Sequence, residues 1–213
     1  MQRGLYLTEH RRCFDSIISY CNDLVYQGIL EPKRGEPTIT PALWKKPLAM
    51  IATSSPSQAQ GGSRINNGEA EQIAAWVAQH KDEIIAYAKE QSDKYASGSD
   101  ESILMDFLGI ITPFSKQAFV IQTKLHQHGI RGLTVGTVHS LQGAERGIVL
   151  FSSVYGTGDK GKSKFYDRGA NMLNVAVSRA KDAFIVFGNP DVFGMDGGKT
   201  PSNLLRQKLQ QCK

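Results

Sequence analysis

Gly147-Ile-Val-Leu-Phe-Ser-Ser-Val154 and Ala183-Phe-Ile-Val-Phe187 are two apolar runs that decide the fold. Between them, Asn171–Ala180 has the residue spacing of a helix. Continuous apolar strands that alternate with helices predict a parallel sheet, because both faces of such a sheet are covered by helices. The predicted fold class is therefore α/β, a three-layer sandwich with a mostly parallel central sheet.

The same alternation continues on both sides of this stretch. Apolar runs predict further strands over Leu48–Ala52, Phe107–Thr112 and Leu133–Val138. Helical spacing predicts an opening helix over Leu7–Leu30 (within the segment 1–35), then Glu69–Gln91, Ser115–His128 with Ser115 as its N-cap, and Ser202–Gln211. Polar composition predicts flexible loops over 53–68 and 92–102 and a flexible basic surface loop over 156–169. We expect one domain over residues 1–213.

The composition indicates a protein with a modest basic excess. The chain has 213 residues, 40% of them hydrophobic, and a formal net charge of +5. Such a charge favours a polyanionic partner, but it is too common to assign one alone. No apolar run is long enough for a membrane helix, and the N-terminus leads into no signal-peptide core, so we expect a cytoplasmic protein. Cys13, Cys21 and Cys212 lack metal-ligand spacing, and we expect reduced thiols and no metal site.

Gly156-Thr-Gly-Asp-Lys-Gly-Lys-Ser163 fits the Walker A pattern of a phosphate-binding loop. That loop works because a helix begins at its Lys-Ser pair and directs its N-terminal dipole at the phosphates. Here the following residues lack helical apolar spacing and reach Gly169 within two turns. We therefore reject the phosphate-binding interpretation and predict a surface loop.

Several motifs in a fixed order resemble one family. Thr137-Val-His-Ser-Leu-Gln-Gly-Ala-Glu145 is similar to motif V of superfamily 1 helicases, and Leu173-Asn-Val-Ala-Val-Ser-Arg179-Ala-Lys181 is similar to their motif VI. Further resemblances to the second RecA-like domain of these helicases lie in Gly109–Gln117, in Leu7–Arg12 continuing to Gly28, and in Asn67–Ala70. The nearest branch looks like the group that contains the nonsense-mediated decay helicase and many bacterial DNA helicases. The resemblance covers nearly the whole chain and implies a RecA-like fold.

This resemblance implies that the chain is the second half of a two-domain motor. In the family, Walker A, Walker B and the magnesium ligands belong to a first RecA-like domain, which this chain lacks. ATP with Mg²⁺ would bind between the domains, with Arg179 as the arginine finger and Arg12 as a second γ-phosphate arginine. We expect both guanidinium groups to converge on the nucleotide at the carboxyl edge of the sheet, where ligands of such sheets usually bind. Alone, the chain should hydrolyse ATP no faster than background.

Other residues near the nucleotide follow from the same motifs. Arg11 stands where the family often has a tyrosine that stacks on adenine, and its guanidinium plane could stack instead. Gly143, next to Gln142, permits close approach of the backbone to a ligand. Glu145 would either bind a ribose hydroxyl or orient an arginine.

A second group of residues is expected to contact single-stranded nucleic acid. Hydroxyls and strand-end amides suit phosphate oxygens, which give affinity without reading sequence. The residues assigned to this role are Thr112, Pro113, Thr137, His139 and Ser140. DNA is favoured over RNA as the partner because the overall pattern looks bacterial.

Two alternatives remain open on the sequence alone. The first is a non-catalytic RecA-like module that binds nucleic acid and needs no arginine finger. The second is a stand-alone P-loop NTPase, which rests on Gly156–Ser163 only. The first would make ATP hydrolysis by a reassembled motor insensitive to loss of Arg179, and the second would make the isolated chain an ATPase that depends on Lys162.

Overall fold

A computed structural model describes residues 8–38, 41, 43–141 and 144–211 and shows a five-stranded parallel sheet at the centre of the chain. The strands are β1 (Glu9–His10), β2 (Glu31–Pro32), β3 (Leu48–Ala52), β4 (Gln58–Gln60), β5 (Ser63–Ile65), β6 (Leu108–Ile111), β7 (Thr134–Gly136), β8 (Arg146–Ser152) and β9 (Ala180–Gly188). The central sheet has the order β3-β9-β8-β6-β7, and all its neighbouring strands are parallel. β1 and β2 form a small parallel pair, and β4 and β5 form a hairpin.

Helices cover both faces of this sheet. They are α1 (Asp15–Cys21), α2 (Asn67–Gln91), α3 (Asp100–Phe107), α4 (Ser115–Gln127), α5 (Asn171–Val177) and α6 (Pro201–Gln211). Alternate residues of β8 enter two separate cores: Ile148 and Leu150 pack with α2, α3 and α4, whereas Val149 and Phe151 pack with α1, α5 and α6. The structure thus confirms the predicted α/β fold, a RecA-like three-layer sandwich.

The opening segment differs from the single helix predicted over Leu7–Leu30. It begins with β1, continues as the seven-residue α1, and ends in a π-helical turn over Asn22–Tyr26. The apolar stripe was predicted correctly up to Cys21, but Val25 is exposed. The helix begins late because residues 9–14 pair with β2 and with the backbone at Lys181 instead of with their own turn. Leu7 lies outside the described residues.

The segments predicted as loops contain more structure than expected. Residues 53–68 include the hairpin β4–β5, and 92–102 include a 3-10 turn and the start of α3. The 156–169 loop is not a freely solvated surface loop, because Asp159 and Lys164 are buried within it. Buried ion pairs fix these segments where composition alone suggested flexibility: Arg64 with Asp159 at 2.9 Å and Lys164 with Asp196 at 2.8 Å. The predicted N-cap of α4 is also wrong, since the cap is Phe114 and has no side-chain hydrogen bond.

The structure confirms the rejection of the Walker A interpretation. No α-helix begins at Lys162-Ser163, and the described chain there continues through the extended residue Lys164 into a 3-10 turn. Gly156 is required for a different reason, because a Cβ at this position would lie 2.1 Å from the carbonyl oxygen of Ser55. The glycine therefore permits close packing of two loops.

Cys13 and Cys21 are buried free thiols, as predicted, although Cys13 precedes α1. Burial raises the pKa of each to about 12, which keeps both protonated and unreactive. Cys212 lies outside the described residues. Within those residues, no helix is long and apolar enough to cross a bilayer.

Candidate functional site

Arg12 lies where the opening segment meets the residues that precede β8 and β9. Its Nη1 donates to Glu145 Oε1 at 2.9 Å, and its Nη2 donates to the carbonyl oxygen of Ser178 at 3.0 Å. The Nζ of Lys181 lies 3.2 Å from the other carboxylate oxygen of Glu145. Glu145 therefore contacts two cations, Arg12 and Lys181, which is the geometry expected if the carboxylate orients an arginine, while the ribose contact stays a prediction.

The charges of this cluster are well defined. Burial raises the pKa of Glu145, but the hydrogen bond from Lys181 and the charge and hydrogen bond of Arg12 outweigh it, so the net pKa is lowered. Burial, followed by the charge of Arg12, lowers the pKa of nearby His10. At neutral pH the cluster consists of two cations around one carboxylate, and it retains a positive charge for a ligand.

Arg34 binds the backbone of Lys181, a member of this cluster, and was not identified from the sequence. It donates to the carbonyl oxygen of Lys181 at 2.6 Å and to Asp182 Oδ1 at 2.5 Å. Its guanidinium group lies 3.9 Å from the centroid of the Phe14 ring. Its segment carries no motif, so only the three-dimensional contact with β9 reveals the role.

Arg179 directly follows the carbonyl that Arg12 binds, and its side chain lines a pocket of about 320 Å³. Val138, His139, Asn171, Met172 and Val175 form the rest of this pocket. The Nε of Arg179 is buried, and no hydrogen-bond acceptor among the described residues contacts it. Arg12 therefore binds the backbone directly before Arg179, and Nε of Arg179 is a donor without an acceptor among the described residues.

The expected edge of the sheet is wrong for both arginines. Glu145 immediately precedes β8 and Arg179 immediately precedes β9, so the cluster lies at the amino ends of these parallel strands. The physical reason is the order of residues along the chain. A residue that directly precedes a strand of a parallel sheet lies at the amino edge of that sheet. The motif positions alone could have shown this.

Of the remaining nucleotide candidates, the structure describes only Arg11. The side chain of Arg11 is 68% exposed and pairs with Glu9 at 2.9 Å, and it contacts no ring. The structure offers no aromatic or planar partner at this arginine among the residues it describes. Gln142 and Gly143 lie outside the described residues.

The residues predicted to contact nucleic acid lie in three different places in the structure. Thr112 is fully buried, and its hydroxyl has no partner among the described residues, so its contact with a strand stays a prediction that this burial does not support. Pro113 and Thr137 do lie together, in the wall of an open cavity of about 540 Å³ at the carboxyl edge. His139 is exposed but lines the pocket of Arg179 instead, and Ser140 is exposed on the same 3-10 turn.

A buried polar network fixes the carboxyl edge. The carboxylate of Glu69 accepts from Ser152 Oγ at 2.5 Å and from the backbone N–H of Val154 at 2.8 Å. Asn66, which caps α2, donates to the carbonyl oxygen of Val154 at 3.1 Å. Val154 has φ 71, a strained value for a β-branched residue. The network therefore holds a strained turn directly after β8.

Comparisons with known proteins point to one family. A family model described as an AAA domain, AAA_12, matches residues 2–191. The chain is 26% identical over 204 residues to the human "RNA helicase Mov10l1", which covers 89% of this chain and 16% of that protein. It is 35% identical over 100 residues to the "Probable RNA helicase armi" of Drosophila melanogaster, covering 45% of this chain and 8% of that protein. It is 31% identical over 97 residues to the "ATP-dependent helicase upf1" of Schizosaccharomyces pombe, covering 43% and 10%. The chain thus spans less than a fifth of the length of each of these relatives.

Proposed function

We propose that this chain, which belongs to the AAA_12 family of AAA domains and so to the C-terminal domains of superfamily 1 helicases, works as the second motor domain of an ATP-dependent nucleic-acid helicase. The first motor domain would hold ATP and Mg²⁺. This chain would supply the positive charge that the γ-phosphate needs as it is transferred.

One observation carries this proposal: Arg12, held by Glu145, donates to the backbone directly before Arg179. An arginine supplied across a domain cleft needs only to reach a phosphate that is bound elsewhere. It can therefore lie at the amino edge of its own sheet while the nucleotide lies at the carboxyl edge of another. The position of both arginines at the amino edge is therefore compatible with contact to the γ-phosphate.

The residues present fit a phosphate group and not a metal. Arg12, Lys181 and Arg179 supply N–H donors, and Nε of Arg179 is unpaired among the described residues. Within the described ranges, no group of three or more His, Cys, Asp or Glu side chains could hold a metal ion. Magnesium, when bound with ATP, would neutralise phosphate charge from ligands in the partner domain. Arg12 and Arg179 would then orient the terminal phosphate, and Glu145 would hold Arg12 in place.

The nucleic acid in this proposal is a single strand that lies along the carboxyl edge, where Pro113 and Thr137 line the cavity. The preference for DNA made from the sequence has no support from the relatives, because the names of two of those described above specify RNA. We therefore favour RNA as the first strand to test. The non-catalytic alternative would retain this strand contact but not the arginine role.

An ATPase assay with and without the partner domain tests the proposal. The isolated chain should show only background hydrolysis, and addition of a first motor domain with its own Walker A and Walker B motifs should raise the rate in the presence of a single strand. If the isolated chain hydrolyses ATP and loses that activity in Lys162→Ala, the stand-alone P-loop alternative is correct. If the assembled motor hydrolyses ATP equally well with Arg179→Ala, the non-catalytic alternative is correct.

A further inference from the structure

The open cavity at the carboxyl edge combines positive charge with aromatic rings. Three of its lining residues are cations: Arg64, Lys162 and Arg168. No carboxylate is among the described residues that line it, although Asp159 behind the wall pairs with Arg64 at 2.9 Å and with Lys162 at 3.1 Å. One carboxylate against three cations leaves a net positive surface, which suits a polyanion.

The aromatic part of the cavity is a cluster built around Phe165. Phe165 as a whole residue is 38% exposed, and its ring lies 5.6 Å, centroid to centroid, from the ring of Phe114. The guanidinium group of Arg168 lies 5.4 Å from the Phe165 ring centroid. A partly exposed ring that packs against a second ring and has a guanidinium group over it combines the aromatic surface and the positive charge with which proteins bind single strands.

The loop that carries these groups is fixed rather than free. The backbone N–H of Phe165 donates to the hydroxyl of Tyr155 at 2.8 Å. Lys164 is fully buried and pairs with Asp196 at 2.8 Å, which anchors the loop between Lys162 and Phe165. Ser57 and Gly156 both donate to Asp159, so the other end of the loop is also held. Binding to a ring that is already fixed costs less conformational entropy than binding to a mobile ring, which must first be ordered.

We infer that this cavity is a nucleotide-binding subsite for single-stranded nucleic acid, in which a base stacks on Phe165 and the flanking phosphates bind Arg168, Lys162 and Arg64. The inference rests on the proposed function and names a subsite that the helicase motifs did not include. It also assigns a use to the Walker-like loop: its lysine faces a strand phosphate and not the phosphates of ATP.

Binding of fluorescent poly-uridine and poly-thymidine strands to the full chain, without ATP or a partner domain, tests the inference. Phe165→Ala should weaken binding about tenfold at every salt concentration, because it removes a stacking surface. Arg168→Ala should make the log–log dependence of affinity on salt shallower by about 0.7, the value for one phosphate contact on a single strand. Comparison of poly-uridine with poly-deoxyuridine, which carries the same base, tells whether the sugar hydroxyl contributes.

Matched variants separate this role from folding. Phe165→Tyr and Arg168→Lys retain the ring and the charge and should bind like the unaltered chain. Tyr26→Ala removes an aromatic residue of similar exposure elsewhere, and Arg131→Ala removes an exposed arginine before β7, at the amino edge, and neither should change binding. If Phe165→Ala and Arg168→Ala bind as tightly as these controls, or if ATP with Mg²⁺ competes with the strand, the inference is overturned. Either result would leave the ATPase test of the arginine role unaffected.

Discussion

Arg34 links the opening segment to β9 through a pair with Asp182, whose side chain is only 5% exposed. Burial raises the pKa of Asp182, while the hydrogen bond from Arg34 opposes that effect. Removing the arginine would leave a buried carboxyl group without its ionic partner, which costs far more than losing a surface pair. The stability of the amino edge should therefore depend on this side chain.

Arg34→Ala should lower the free energy of unfolding by about 3 kcal/mol, because Asp182 loses its partner inside the protein. Arg11→Ala is the matched control: it breaks an exposed pair with Glu9 and should cost less than about 0.5 kcal/mol. Urea denaturation of both variants measures the difference. Equal losses of stability would mean that Arg34 has no special structural role.

The network around Glu69 joins α2 to the ends of β3 and β8. Burial raises the pKa of Glu69 to about 7, and hydrogen bonds from Ser152, Val154, Thr53 and Ser153 only partly offset that effect. Because the folded-state pKa exceeds the unfolded value, the folded protein binds the proton more tightly. The resulting stabilisation is complete below the unfolded pKa, near 4.5, and is lost as the pH rises towards 7.

We predict that stability falls by roughly 3 kcal/mol between pH 4.5 and pH 7 from this group alone, with no further change from it above that range. Glu69→Gln retains a neutral side chain of the same shape and should remove this part of the pH dependence. Glu90→Gln changes an exposed residue of the same helix and should leave the pH dependence as it was. Thermal denaturation across this pH range compares the three proteins, and a Glu69→Gln curve parallel to that of the unaltered chain would refute the role.

At the scale of elements, the sequence predicted the buried parts of the fold well and the polar parts poorly. Hydrophobic spacing identified β3, β6, β8, β9 and the long α2, because burial on both faces leaves a strong pattern. The hairpin β4–β5 and the true form of the opening segment escaped prediction, since they depend on pairing with distant residues such as Asp159 and Lys181. Local composition carries no signal for such contacts.

The candidate site was also predicted only in part, because local sequence carries no signal for contacts between distant residues. The motifs identified Arg12, Glu145 and Arg179 as members of one site. In the structure Arg12 binds Glu145 before β8 and the backbone carbonyl directly before Arg179. Lys181 lies within the motif VI segment but was given no role in the site. Arg34 and the Phe165 cluster were missed because no motif covers their contacts. Thr112 was assigned to a strand contact from its place after a strand, but that place also allows full burial.

Among the described residues, the backbone positions of the groups proposed for ATP and for the strand lie at opposite edges of the central sheet. The amino edge carries the arginines proposed to reach ATP, and the carboxyl edge carries the cavity proposed to bind a strand. α2 and the Glu69 network join the helical layer to the carboxyl edge, and α5 leads directly into Arg179. Closure of this domain on a nucleotide would therefore move the strand-binding edge as one body, as directed motion along a strand requires.

The most direct test of this account is the single-turnover rate of ATP hydrolysis by the motor assembled from this chain and a first motor domain, with and without Arg179→Ala. The rate of the Arg179→Ala motor should fall about 10³-fold or more, because the γ-phosphate loses its charge partner in the transition state. Binding of ATP and of the single strand should change far less than the rate. A rate equal to that of the unaltered motor would show that this domain does not supply the arginine finger.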